Sequence, residues 1–410
     1  MNTGDTAWVL VSSTLVLLMT VGLAFFYGGL ARRKNVLSII MQCFIIMCVI
    51  SLQWVLYGYS IAFGPDTGRG IIGSLAWAGL NGVGGQPNTD YAATIPHQVF
   101  MIFQAMFAII TPALMIGAFA ERIKFSAFLA LTILWATLVY DPLAHWVWGT
   151  GGWLRNLGAL DFAGGIVVHV SSGVSALVMA ILLGKRIGFE RHAYRPHNMA
   201  WVSLGAGLLW FGWFGFNAGS ALSAGSLAAN AFVTTNTAAA TAGLTWALIE
   251  WRQHGAPTLL GTVTGAVAGL VAITPACGFV SPLNAIFIGA LVSVFCYLAL
   301  TKIKAYFGYD DALDVFGVHG VGGIWGTIAT GLFAEKAVNT AGADGLFFGG
   351  VHLFLVQLAL VAVAVLYALI MATIIYKVVD HFIGMRVGKK EELIGLDLTQ
   401  HNESAYTVLE

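Results

Sequence analysis

The chain has 410 residues, of which 58% are hydrophobic and only 9% charged. An average soluble domain is about 25% charged, so the composition excludes a soluble globular protein and describes a polytopic membrane protein. Formal net charge is zero, and no basic surplus points to a nucleic-acid partner.

A membrane-spanning helix needs about 20 apolar residues. The first apolar run, 8–30, follows a polar, slightly acidic start from Asn2 to Thr6. With no basic segment ahead of it, it reads as a retained span rather than a cleaved signal. Further runs fall at 36–63, 98–119, 127–146, 164–184, 199–218, 228–249, 259–274, 284–302, 315–333 and 349–377. The expected fold is therefore all-α, with about eleven transmembrane helices and both faces of the bilayer crossed an odd number of times. The longest connection, 64–96, is rich in Gly, Asn, Pro and Asp around an apolar centre at Ile71 to Leu80. A charged tail begins at Gly384, which divides the chain into a membrane domain, 1–383, and a cytoplasmic tail, 384–410. Cys43, Cys48, Cys277 and Cys296 show no paired spacing, so neither a metal cage nor a disulfide framework is expected, and no cofactor is implied.

Lys and Arg decide the orientation. Of the 19, sixteen follow odd-numbered spans, including Arg32, Arg33, Lys34, Arg122, Lys185, Arg186 and Arg191; only Arg69, Arg155 and Lys336 follow even-numbered ones. Cytoplasmic segments carry the basic excess, which puts the N-terminus outside and the C-terminus inside. Spans five and ten then hold matching places in two five-helix halves, which an odd number inverts in the membrane, with one helix left over.

Both of those spans carry a histidine in a similar context. Asp161-Phe-Ala-Gly-Gly leads to His169, and Asp314-Val-Phe-Gly-Val leads to His319. A titratable ring inside a span is costly and is a functional candidate by default. Inverted repeats place their shared site near the bilayer midplane, so repeat logic brings His169 and His319 together. A single buried histidine is often only a packing residue; two in matching contexts are harder to explain that way. The other titratable groups read more plainly. His192, His197 and His254 fall in inner loops and suit a solvated surface. His145 fits packing or a backbone bond, Asp310, Asp311 and Asp314 fit helix capping, and Glu121 fits a local pair with Arg122.

The motifs taken together resemble the ammonium transporter (Amt) family. They are Phe-Tyr-Gly-Gly-Leu (26–30), Phe-Gln-Ala-Met-Phe-Ala (103–108), Gly-Ala-Phe-Ala-Glu-Arg (117–122), Asp-Phe-Ala-Gly-Gly (161–165), Trp-Phe-Gly-Phe-Asn-Ala-Gly-Ser (213–220), Thr-Pro-Ala-Cys-Gly (274–278) and Asp-Val-Phe-Gly-Val-His-Gly (314–320). The resemblance spans nearly the whole chain, in order. It implies a homotrimer in the cell membrane, each protomer with its own narrow pore for ammonium, ammonia and methylammonium. It implies an outer recruitment site at Phe107, Trp148 and Ser220, with Asp161 nearby in an electrostatic role. It implies a stacked phenyl pair, Phe107 and Phe216, a pore wall at Trp213 with Thr274 beside it, and a lining of His169 and His319. It also implies a PII-type regulatory protein at the cytosolic face. The related Rh proteins lack the full aromatic-plus-serine vestibule.

Three other readings compete. An ammonium sensor would signal through the tail, yet only about 30 residues follow the last span. An intramembrane enzyme would need a nucleophile or ligand cluster beside the histidines, and none is apparent. A metal transporter would want carboxylate or thiolate ligands in the spans. Trp148 alone also fits an ordinary interfacial aromatic belt.

Overall fold

The structure is a computed structural model that describes residues 1–189 and 194–406. Arg191 and His192, assigned above to an inner loop, lie outside the described residues, as does the end of the tail, 407–410. Among the described residues the architecture is helical, with no strand beyond isolated bridges.

The helices are α1 (Thr3–Leu30), α2 (Val36–Gln53, continued to Phe63), α3 (His97–Phe119) and α4 (Phe125–Trp135, continued to Trp148). Next come α5 (Gly165–Leu183), α6 (Met199–Gly219), α7 (Ser226–His254), α8 (Leu259–Ile273) and α9 (Pro282–Phe307). Then follow α10 (Phe316–Gly320 running into Val321–Phe333), α11 (Val351–Phe382), and two short tail helices, α12 (Lys389–Ile394) and α13 (Leu396–His401). Apolar runs of this length become helices because a helix satisfies its own backbone where no water can. Polar side chains start several of them. Asn2, Asn198 and Thr258 accept from the backbone N–H of Asp5, Trp201 and Gly261 at 3.0, 3.0 and 2.9 Å.

Among the described residues, eight helices are long and apolar enough to cross a membrane. Three stretches that the sequence reads as spans fall below that measure. α7 is long but rich in Thr and Asn, α8 is short, and α10 carries glycines and a histidine.

α1 packs along α6, α7 lies against α8 and α9, and α10 lies against α5, α8 and α11. The crossing of α5 and α10 is close because glycine lines it. A Cβ at Gly173 would collide with the Gly320 backbone, and one at Gly323 would lie 2.9 Å from the Gly165 carbonyl and 3.1 Å from the His169 Cβ. Small residues at such a crossing replace the missing hydrophobic drive with backbone contact.

One end of the bundle holds the loop 64–96 (the loop end); the other holds the tail (the tail end). At the tail end Glu121 does not pair with Arg122 as expected. Its φ of 72° turns it toward Arg32, 2.6 Å away, and Arg186, 3.4 Å away. Arg122 instead donates to the carbonyls of Gly184, Ala120 and Asp310 at 2.9, 3.2 and 2.6 Å. Burial pushes the Asp310 carboxyl up, but the Arg186 guanidinium outweighs it and holds the group below the usual range.

The tail folds across this end. Glu392 accepts from the Ile187 N–H at 2.6 Å and from Arg386 at 2.8 Å. Asp397 accepts from the Ser38 N–H and Asn35 from the Leu396 N–H, both at 2.8 Å. His197, expected on a solvated surface, is half-buried between the Ala31 carbonyl at 3.1 Å and the Tyr406 hydroxyl at 2.8 Å. The tail covers it, which no local pattern announces.

Candidate functional site

α5 and α10 begin in the same way. Each opens with a π-helical turn ending at or just after its histidine, Gly165–Val170 and Phe316–Gly320. Each is capped by an aspartate eight positions before that histidine, 161 to 169 and 311 to 319. Asp161 accepts four backbone N–H bonds, from Gly164, Gly165, Ile166 and Val167, at 2.9, 2.6, 2.8 and 3.2 Å. The left-handed Gly164, φ 113°, aims these donors inward. Burial pushes the Asp161 carboxyl upward against these four bonds. With both oxygens engaged, the side chain organises the start of α5. Asp311 accepts from the Phe316 N–H at 2.8 Å, the capping role expected of it, and burial pushes its carboxyl up to about 6.

The two histidines meet. His319 Nδ1 lies 3.2 Å from His169 Nδ1, with ring centroids 5.2 Å apart and planes 20° from parallel. Two nitrogens at that distance share one proton, so one Nδ1 donates and the other accepts. Both rings are buried, and His169 Nε2 has no protein partner. Trp213 stacks on His169 at 5.4 Å, and Phe216 lies 6.2 Å from it. The Trp213 indole N–H donates to Thr274 Oγ1 at 2.9 Å, and Thr274 in turn donates to the Leu270 carbonyl at 2.7 Å. Thr274 therefore fixes the indole that stacks on His169.

Toward the loop end, Phe216 stacks on Phe107 with centroids 4.2 Å apart, and the Trp148 ring stands edge-on to Phe107 at 6.1 Å. The Trp148 N–H donates to the Asp161 carbonyl at 2.8 Å, fixing the indole. Ser220 donates to the Phe216 carbonyl at 2.8 Å, which leaves its oxygen lone pairs free to accept.

These groups line a file of three cavities. The first opens at the loop end among Phe107, Trp148, Asp161 and Ser220. The stacked phenyl rings close its floor. Beyond them a narrow cavity is lined almost entirely by apolar side chains, with His169, His319, Trp213 and Phe216 in its wall. The third opens at the tail end and shares His319, Phe26, Tyr27 and Val267 with the second. Sequence reading missed Gln104, Asp90 and Arg155 at the first cavity, and Tyr27 and Val267 at the second. Gln104 had a signal, standing one helical turn before Phe107. His254, expected in a solvated loop, is exposed but bonds the Tyr297 hydroxyl at 3.0 Å and lines the third cavity.

Residues 7–406 match the model of the Ammonium Transporter Family. The chain is 54% identical over 406 residues to an ammonium transporter of Bacillus subtilis (strain 168), covering 99% of each. It is similar to the crystal structure of Candida albicans Mep2, with a TM-score of 0.90, 37% identity, and 99% of this chain and 90% of that one covered. A structure described as a sensor Amt protein is also similar, with a TM-score of 0.89, 30% identity, and coverage of 97% and 98%.

Proposed function

The chain belongs to the ammonium transporter family, and from that premise we propose how it moves ammonium across a membrane. The observation that carries the reading is the single file from an aromatic vestibule, past two stacked phenyl rings, to a histidine pair in an apolar cavity.

Eleven helices cross the bilayer, α1–α5 and α6–α10 forming inverted halves and α11 standing outside them. The basic excess supports an N-terminus outside and a C-terminus inside. The shared aspartate-to-histidine spacing and π-helical start of α5 and α10 support the repeat. The loop end is then the outer face.

Ammonium is recruited where Phe107 and Trp148 offer aromatic faces and Ser220 a free acceptor. Cation–π attraction supplies about 2 kcal/mol when desolvated. Potassium gains the ring attraction but cannot donate to Ser220. Asp161 contributes through its fixed field and through the carbonyl that orients Trp148. Past the Phe107–Phe216 pair, a bare cation in an apolar cavity would cost far more than the rings return. Ammonium can shed a proton and continue as a small neutral molecule; potassium has no such route. The partnerless His169 Nε2 supports a lumen-facing role, while the Nδ1 contact fixes the tautomers of both rings.

The protein acts in the cell membrane as a homotrimer, with methylammonium as a second substrate. The domain 1–383 conducts, and the tail 384–410 with the basic inner loops docks a PII-type protein. A second reading, an ammonium sensor, draws on the likeness to the sensor Amt protein and on the tail folded against the inner loops. Charge movement in proteoliposomes after an ammonium jump at fixed pH, with a potassium jump as control, tests both. An ammonium-only current is expected if the proton also crosses, and lumenal alkalinisation without current if ammonia passes alone. Neither signal from a folded trimer would put the sensor first.

A further inference from the structure

The mouth of the first cavity holds three charged residues, Asp90, Arg155 and Asp161. Asp161 has both oxygens committed to backbone N–H groups. Arg155 is exposed, and its Nη1 donates to the Trp148 carbonyl at 2.7 Å and to Thr150 Oγ1 at 3.3 Å. Both acceptors are neutral, and among the described residues no carboxylate lies within ion-pair distance of this guanidinium. A full positive charge is thus fastened to the backbone of the tryptophan whose ring offers the cation its aromatic face. It is also one of the three Lys or Arg residues that follow even-numbered spans.

We infer that Arg155 sets the affinity of the vestibule from its rim, repelling an arriving monovalent cation without contacting it. The inference rests on the vestibule reading of the preceding subsection. A like charge across a partly solvated mouth weakens cation binding by about two- to tenfold, and salt screens the effect. Arg155 is here an affinity-setting residue. Its hydrogen bond to Trp148 gives it a separable positioning role.

The test is the concentration dependence of methylammonium uptake into proteoliposomes, which reads flux whether or not charge crosses, for wild type, Arg155→Gln, Arg155→Lys and Trp148→Leu. Each is measured at about 0.01 M and about 1 M sodium chloride, where the screening length falls from roughly 30 Å to roughly 3 Å. Glutamine removes the charge and keeps a donor for the Trp148 carbonyl; lysine keeps the charge. At low salt Arg155→Gln is expected to lower KM about two- to tenfold, with the effect on KM rather than on maximal flux. Arg155→Lys should stay near wild type, and the curves should converge at high salt. An unchanged KM for Arg155→Gln, or a rise that persists at high salt, would overturn the inference while Trp148→Leu still raised KM. A KM untouched by Trp148→Leu would overturn the vestibule reading and this inference with it.

Discussion

The Thr274 hydroxyl accepts a hydrogen bond from the Trp213 N–H and donates its own to the Leu270 carbonyl. Thr274→Val leaves the indole donor stranded, a loss of about 1–3 kcal/mol. The variant should unfold earlier in detergent and take up methylammonium more slowly; wild-type behaviour in both assays would end the role of Thr274 as the support of Trp213. At the histidines, His169→Asp and His319→Glu replace a neutral ring with an acid. Altered rate or potassium exclusion is expected in reconstituted flux assays, and unchanged values in both variants would end the paired-histidine role. Asp311 supplies a pH prediction. Burial holds its carboxyl at about 6, against about 4 in an unfolded chain. The folded value lies above the unfolded one, so folding favours the protonated acid. That contribution is complete below about pH 4 and is lost as pH rises through about 6. Stability should therefore fall across this window, by on the order of 3 kcal/mol, and Asp311→Asn should flatten the slope in unfolding measured against pH.

At the scale of elements, the contact between α5 and α10 sets the distance between the histidines. Gly173 lies against the Gly320 backbone and 2.9 Å from the His319 carbonyl carbon by the Cβ that it lacks. Adding that methyl must push the helices apart, and overpacking of this kind costs about 1–3 kcal/mol. Gly173→Ala is expected to lower both thermal stability and methylammonium uptake. Gly207→Ala on α6, where an added Cβ meets nothing within 4 Å, is the matched control. Equal effects of the two changes would show that crossing distance does not govern flux. The helices themselves were legible as apolar runs, and their observed bounds fall within a few residues of the expected ones at most ends. The π-helical turns at Gly165–Val170 and Phe316–Gly320 were not. A one-residue change in backbone pitch leaves the apolar pattern almost intact, and three further turns of this kind, Trp54–Gly58, Ala136–Tyr140 and Ala299–Ile303, lie equally unmarked in other helices.

At the scale of the whole molecule, the tail is part of the tail-end surface. It ties the loop after α1 and the first turn of α2, through Asn35 and Ser38, to the loop after α5, through Ile187. Deleting residues 384–410 is expected to abolish capture of a trimeric PII-type protein, read by co-purification from detergent. Capture at the wild-type level would count against tail docking. The membrane class, the helix positions and the family were written in the sequence alone. So was the choice of Phe107, Trp148, Phe216, Ser220, His169 and His319, which the structure places along the file of cavities, because composition and short motifs are local properties of a chain. Only the tertiary structure decided that the two histidine rings touch, that Thr274 accepts from Trp213, that Glu121 pairs with Arg32 and Arg186, and that Arg155 stands at the mouth of the first cavity. Each of these joins residues tens to hundreds of positions apart or depends on which way a side chain turns. That information exists only once the helices have packed and brought side chains from distant parts of the chain into contact.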